Sequence, residues 1–132
     1  MIRAAIDSDF RSIDTFDIFA GDRQREIREA RMIVFERGDE ILGYLSWVPA
    51  GFVGRDYITY LCVRPDARRE GIASQLVEAA EKQFAGARLF ISTDDDNDGM
   101  LSFLGRKGWT NAGAVEGAND GNRAEVFFYK DL

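Results

Sequence analysis

The chain contains no histidine, one cysteine and two prolines among 132 residues. Each shortage removes a class of chemistry. Without histidine there is no Ser-His-Asp or Cys-His machinery, and no zinc site of the usual Cys/His kind. Cys62 has no partner for an internal disulfide. The scarcity of proline and the lack of any low-complexity tract leave nothing that reads as a linker or a disordered segment. A single domain over residues 1–132 is expected from the length. No apolar run approaches the roughly 20 residues that span a bilayer. The opening "MIRAAIDSDF" alternates and carries acids, unlike a signal peptide, so a cytoplasmic protein with no membrane partner is expected. Basic charge is also short: 17 Lys and Arg against 23 Asp and Glu give a net charge of −6. Such a body repels duplex nucleic acid, so none is expected as a partner. Its acidic surface suits a cationic substrate, and equally suits plain solubility.

The apolar pattern is that of an α/β chain. Met1–Ile6 reads as a strand. Asp7 or Ser8 is placed to cap a first helix, with Phe10, Ile13 and Phe16 at helical spacing. Gly21–Ala30 is polar enough for an exposed second helix anchored by Ile27. "MIVFERGDEILGYLSW" predicts two strands joined at Gly38-Asp39. Ala50–Arg55 reads as a glycine-bearing loop before a central strand, "DYITYLCV", which Pro65 ends. From Gly71 the period becomes helical, with Ile72, Leu76, Val77, Ala80 and Phe84 on one face. A strand "ARLFIS", an acidic loop "TDDDND", a helix through Met100, Leu101 and Leu104 stopped at Gly108, and two closing strands complete the order. A mixed sheet with about four flanking helices is expected. The acidic loop lacks the glycine at position six and glutamate at twelve of a calcium loop, so no metal is expected.

One stretch stands out against the acidic background: "VRPDARREGIASQL", Val63 to Leu76. A strand, a loop carrying Arg64, Arg68 and Arg69 with Gly71, and then a helix make an anion site. The first helical N–H groups have no internal partner, and the helix dipole is positive there. Glycine lets the backbone come close, and arginine adds charge-assisted bonds. A phosphate or pyrophosphate fits. Neither the Walker pattern nor the G-x-G-x-x-G fingerprint occurs; the chain has R-x-x-G-x-A at Arg68–Ala73 instead.

This stretch resembles the acetyl-coenzyme A signature of the GNAT superfamily of N-acetyltransferases: a strand ending L-x-V-x-P, then [RQ]-x-x-G-x-[GA], then an amphipathic helix. Ala73 stands where glycine is commoner. "NDGMLSFLGRKGW" resembles the family's second signature through Asn97, Phe103, Gly108 and Trp109. The resemblance implies a mostly antiparallel mixed sheet with a splayed parallel pair, Tyr57–Val63 and Arg88–Ser92, and acetyl-coenzyme A as cosubstrate. The loop Arg68, Arg69, Glu70, Gly71, Ile72, Ala73, with Ser74 opening the helix, would hold its pyrophosphate through backbone N–H groups. Arg69 would reach the 3′-phosphate and Glu70 would point to solvent. Leu61, Cys62 and Val63 would lie along the pantetheine arm, with Leu61 and Val63 giving main-chain groups. Asn97 would contact the cofactor or fix the loop around it.

By the same resemblance the activity is direct acetyl transfer to a primary amine, on a small molecule or a peptide. Edge strands of this fold often pair between protomers, so a homodimer is a possible partner state. An alkyl amine arrives protonated, so a base is needed. Tyr57, on the strand face shared with Thr59 and Leu61, is the candidate, with Asp56 the competitor. The tyrosine that many relatives place after Phe103 to protonate the leaving thiolate is Leu104 here; water, Ser102 or Tyr129 are the substitutes. If the missing acid limits the rate, Leu104→Tyr should raise turnover. Leu104 also leaves open a silent acyl-coenzyme A sensor, and the anion site alone admits a nucleotide binder. Cys62, inside a strand, reads as buried and inert. Trp47 and Trp109 read as core or pocket wall, and Phe52–Gly54 as a lining of the acceptor site.

Overall fold

The computed structural model describes all 132 residues. Seven strands form one hydrogen-bonded sheet: β1 (Ile2–Ala4), β2 (Met32–Arg37), β3 (Glu40–Phe52), β4 (Arg55–Val63), β5 (Arg88–Asp94), β6 (Thr110–Val115) and β7 (Glu125–Asp131). Their order is β1-β2-β3-β4-β5-β7-β6, with β4 at the centre. Four helices accompany them: α1 (Phe10–Asp14), α2 (Arg23–Arg28), α3 (Ile72–Gln83) and α4 (Asp98–Arg106). β4 and β5 are parallel, with Tyr57 opposite Phe90, while β1–β2, β2–β3, β5–β7 and β6–β7 are antiparallel. The mixed, mostly antiparallel sheet expected from the sequence is what forms. By contact density the chain divides into two compact units, Met1–Val48 with Thr59–Gln83 and Pro49–Ile58 with Phe84–Leu132, so that β3 and β4 each contribute to both.

In the first unit, Ile13, Phe16, Ile27, Met32, Val34, Ile41, Tyr44 and Cys62 form one buried cluster. The hairpin at Gly38-Asp39 is as expected. Helix α3 buries Ile72, Leu76, Val77 and Ala80. A Cβ at Gly43 on β3 would stand 3.0 Å from the Cys62 carbonyl and 3.3 Å from the Ile72 side chain, so the absent side chain lets α3 lie close to the strands.

Two expectations fail here. Neither Asp7 nor Ser8 caps the first helix. A 3-10 turn at Asp7–Asp9 precedes α1, and the Asp9 carboxylate accepts the Ile6 N–H at 2.8 Å while Arg3 holds it with two bonds. Helix α2 is not an exposed helix with one anchor: besides Ile27 it buries Arg23 and Glu26. Arg23 donates to both Glu26 oxygens, at 2.9 and 3.0 Å, and to the Ala20 carbonyl. Its Nε lies 3.2 Å from Asp17 Oδ2, too poorly aligned for a hydrogen bond. Its guanidinium stacks 3.8 Å over the Tyr60 ring, and Tyr44 donates to Asp17 at 2.6 Å.

In the second unit the loop expected at Ala50–Arg55 is a tight hairpin. β3 runs to Phe52, and Val53 (φ +50°) and Gly54 (φ +81°) make the two-residue turn. Both central residues have positive φ, the geometry that matches the twist of paired strands. Valine is unusual there, and its side chain is 89% exposed. The acidic loop is shorter than expected, because β5 takes Thr93 and Asp94. Its acids tie β5 to the start of β7: Asp94 and Asp96 face Arg123 at 3.0 and 3.9 Å, and Asp95 accepts the Ala124 N–H. Gly108 (φ +83°) ends α4 as expected.

Candidate functional site

The arginine/glycine loop lies in the first unit. Past Val63 the Arg64 N–H still bonds the Leu42 carbonyl at 2.8 Å. Pro65–Ala67 make one 3-10 turn, pinned by buried Ala67. The chain then passes through Arg69 (φ +67°) and Gly71 (φ +80°) into α3, whose first bond runs from the Gln75 N–H to the Gly71 carbonyl. Gly71 therefore occupies the cap position of α3. Helices α2 and α4 are capped by the side chains of Asp22 and Asn97; Gly71 has no side chain with which to do this. The first-turn N–H groups of α3 are left to water or to a bound anion. A Cβ built on Gly71 has nothing within 4 Å, so a ligand can approach the backbone there.

Charge around this loop is sorted by pairing. Arg64 is held by Asp66 at 2.6 Å and lies 3.7 Å from Glu40. Glu70 does not simply face solvent, since it accepts from Arg37 at 2.8 Å. Arg68 and Arg69 are exposed, and neither is in an ion pair with a carboxylate. Arg68 Nε donates to the Val63 carbonyl at 3.3 Å. The donor set of backbone N–H groups and two arginines fits a phosphorylated cosubstrate. Cys62 and Ile72 are 4% and 1% exposed, so they can offer such a ligand only their backbone. Burial pushes the Cys62 thiol above its usual range, in keeping with the inert reading. Beside the loop, an open cleft of about 660 Å³ lies between Thr15–Ile18 and the Arg64–Asp66 turn.

Tyr57 and Asn97 lie in the second unit. Asn97 Oδ1 accepts the Met100 N–H at 3.2 Å, so it fixes the turn into α4. The Tyr57 hydroxyl is 2.5 Å from Ser92 Oγ. Its ring stands among aromatics, 5.9 Å from Phe52 and 6.1 Å from Phe127. The competitor Asp56 accepts the Ala50 N–H at 3.1 Å and so helps to hold the hairpin. Ser92 and Glu125, which bond each other at 2.6 Å, carried no sequence signal: they are 33 residues apart and match no motif.

Leu104 is fully buried, as are Trp47 and Trp109 to 5% exposure. Ser102 is exposed, and Tyr129 is half-buried, with its ring 4.2 Å from the Arg88 guanidinium. The buried setting changes what Leu104→Tyr should do. A tyrosine adds a ring and a hydroxyl to a filled position, which costs about 1–3 kcal/mol by overpacking. The expected result is a lower urea midpoint; an unchanged midpoint would show that the site has room for the phenol.

The model of the acetyltransferase (GNAT) family matches residues 2–109. Among solved structures, a GNAT-family acetyltransferase from Bacillus cereus ATCC 10987 superposes with a TM-score of 0.82 at 25% identity, covering 99% of this chain and 96% of that one. An N-acetyltransferase from Staphylococcus aureus Mu50 gives 0.78 at 21% identity, with 99% and 97% covered. An acetyltransferase from Bacillus anthracis str. Ames, solved with acetyl coenzyme A, gives 0.73 at 13% identity, with 86% and 70% covered. No curated protein matches the chain by sequence. No helix is long and apolar enough to cross a membrane. The chain belongs to the acetyltransferase (GNAT) family.

Proposed function

We propose that residues 1–132 act as one catalytic domain that moves the acetyl group of acetyl-coenzyme A directly to a primary amine. The observation that carries this reading is the opening of α3, where a side-chain-free cap and two arginines without carboxylate partners face an accessible backbone. In this reading the backbone from Arg68 to Ser74 holds the pyrophosphate and Arg69 reaches the 3′-phosphate. The main chain at Leu61 and Val63 pairs with the pantetheine arm, and Asn97 keeps its turn in place. The protein's share of the chemistry is to align the amine with the thioester carbon, to polarise the carbonyl through a main-chain N–H near Val63, and to remove a proton from nitrogen. Tyr57 is the residue assigned to that proton. The leaving thiol has an ordinary pKa of about 8.5, so its thiolate departs without a strong acid.

The test is calorimetric titration with acetyl-coenzyme A, dephospho-coenzyme A and ATP, followed by thiol release with three amines: spermidine, glucosamine and an alanine-initiated peptide. Binding that weakens without the 3′-phosphate, with acetylation of any of the three, supports the reading. Absence of binding defeats it. A second reading, an acyl-coenzyme A sensor, is favoured by buried Leu104 at the position where many relatives carry an acid; tight binding with no turnover would select it.

A further inference from the structure

β7 does not alternate as a strand with one solvated face should. Val126 and Phe128 are buried, as are Leu89 and Ile91 beside them on β5. The residues that point the other way are aromatic as well: Phe127 and Tyr129 on β7, Phe90 on β5 and Tyr57 on β4, all half-buried. The register sets Tyr57, Phe90 and Tyr129 in one row, Ser92 and Phe127 in the next, and Asp94 and Glu125 in a third. Phe52, at the end of β3, lies against this face, stacked 4.8 Å from the Phe127 ring and tilted 4.9 Å from that of Phe90. Its own side chain is half-buried too. An aromatic patch left partly open to water in this way marks a binding surface.

The two ends of the face differ in charge. At one end Arg88 is neutralised by Asp131, at 2.7 and 2.9 Å, and its guanidinium lies 4.2 Å from the centre of the Tyr129 ring. The face of an electron-rich ring attracts a cation, and here it already holds one. At the other end Asp94 is paired with Arg123 at 3.0 Å. Glu125 accepts from Ser92 at 2.6 Å and from Asn119 at 3.0 Å. Both partners are neutral and leave its charge standing. The Tyr57 hydroxyl reaches the same Ser92, at 2.5 Å. A ligand that answers both the rings and this charge carries an arene and a cation a short chain apart.

We propose that this face selects an arylalkylamine as the acceptor. The arene packs with Phe52, Phe90 and Phe127, and the ammonium sits by the Tyr57 hydroxyl, which Ser92 links to Glu125. Protein and ligand rings that stack or meet edge to face gain beyond the area they bury. Glu125 acts by its charge and takes no proton. An aliphatic amine answers the charge alone, and a neutral arene answers the rings alone.

The inference rests on the reading of the domain as an amine acetyltransferase with Tyr57 at the amine. With acetyl-coenzyme A, the protein should favour phenethylamine over 2-cyclohexylethylamine, of equal chain length and similar size, by about 10- to 100-fold in kcat/KM, the scale of two ring pairs. Phe127→Leu should cut this preference by about tenfold. The preference is a ratio taken within one variant, so any loss of folded protein cancels. Binding is read separately, by NMR titration with coenzyme A bound. Glu125→Gln should raise the Kd of phenethylamine about tenfold and leave that of neutral 2-phenylethanol as it was, whereas Phe127→Leu should weaken both. Failure to acetylate phenethylamine or any of the three amines above, with acetyl-coenzyme A bound, defeats the transferase reading, and the arene site then stands or falls on the binding differences. Acetylation of amines without preference for phenethylamine overturns the selection alone. Equal Kd for phenethylamine and 2-cyclohexylethylamine overturns it with or without turnover. A dimer in sedimentation that Phe127→Leu dissociates would assign the face to a second copy of the chain and overturn it as well.

Discussion

Gly71→Glu is expected to lower the affinity for acetyl-coenzyme A by more than about 100-fold. That corresponds to about 3 kcal/mol, the scale of losing a charge-assisted bond and adding repulsion. The substitution does three things at one place. It puts a carboxylate beside the α3 N–H groups, where it caps the helix itself and competes with the phosphates. It adds negative charge where the cosubstrate is most negative. It also forces a side chain into a backbone with φ of +80°, at a cost of about 1–2 kcal/mol in stability. Packing does not enter, since nothing lies within 4 Å of the new Cβ. Gly71→Asn isolates the charge, because asparagine tolerates this conformation and carries none, while it can still cap α3 as Asn97 caps α4. Calorimetry on both variants, with thermal melts, should show folded proteins, with a much larger loss of affinity in the glutamate form than in the asparagine form. Equal affinity in Gly71→Glu would remove the cradle.

Arg23→Ala is expected to destabilise the protein by about 3–5 kcal/mol, because breaking a buried ion pair leaves uncompensated charge. Few single substitutions cost so much. Arg23 is 2% exposed and Glu26 4%. Burial pushes the Glu26 carboxyl above its usual range against the pull of Arg23. Removing the arginine withdraws both Glu26 bonds, the Asp17 contact and the stacking on Tyr60 at once. The double replacement Arg23→Met with Glu26→Leu should recover most of the loss, since similar volume without charge is often neutral. Asp17 would keep its bond from Tyr44. Urea denaturation measures both; a loss below about 1 kcal/mol in Arg23→Ala would mean that water reaches the cluster.

What the sequence revealed and what it hid divide by range. The Gly38-Asp39 turn, the apolar face of α3 and the stop at Gly108 are local signals, and the structure has all three. The Arg68–Ala73 loop was legible because an anion site needs its glycine, arginines and helix in one short stretch. The burial of Arg23 was not, because its environment comes from Asp17, Tyr44 and Tyr60 on other elements, and a charged helix residue reads as solvated until those neighbours are known. The partnership of Tyr57 with Ser92 and Glu125 is hidden in the same way by strand order. The Ala50–Arg55 segment was misread for a different reason: valine is a poor guide to a turn that needs positive φ.

The bond from Arg68 to the Val63 carbonyl bears on the thermodynamics of recognition. That carbonyl already has one donor in the free protein, at 3.3 Å, so in the proposed binding mode a pantetheine amide that displaces the guanidinium exchanges one partner for another. Less heat should come from that end of the cosubstrate than a carbonyl without a donor would give. In the proposed mode the discrimination falls on the phosphates, at helix N–H groups that Gly71 has no side chain to cap. Displacement also releases the guanidinium on its long stem, free to swing toward the incoming anion. In such an arrangement the arginine serves twice, first as a placeholder for the ligand and then as its counterion.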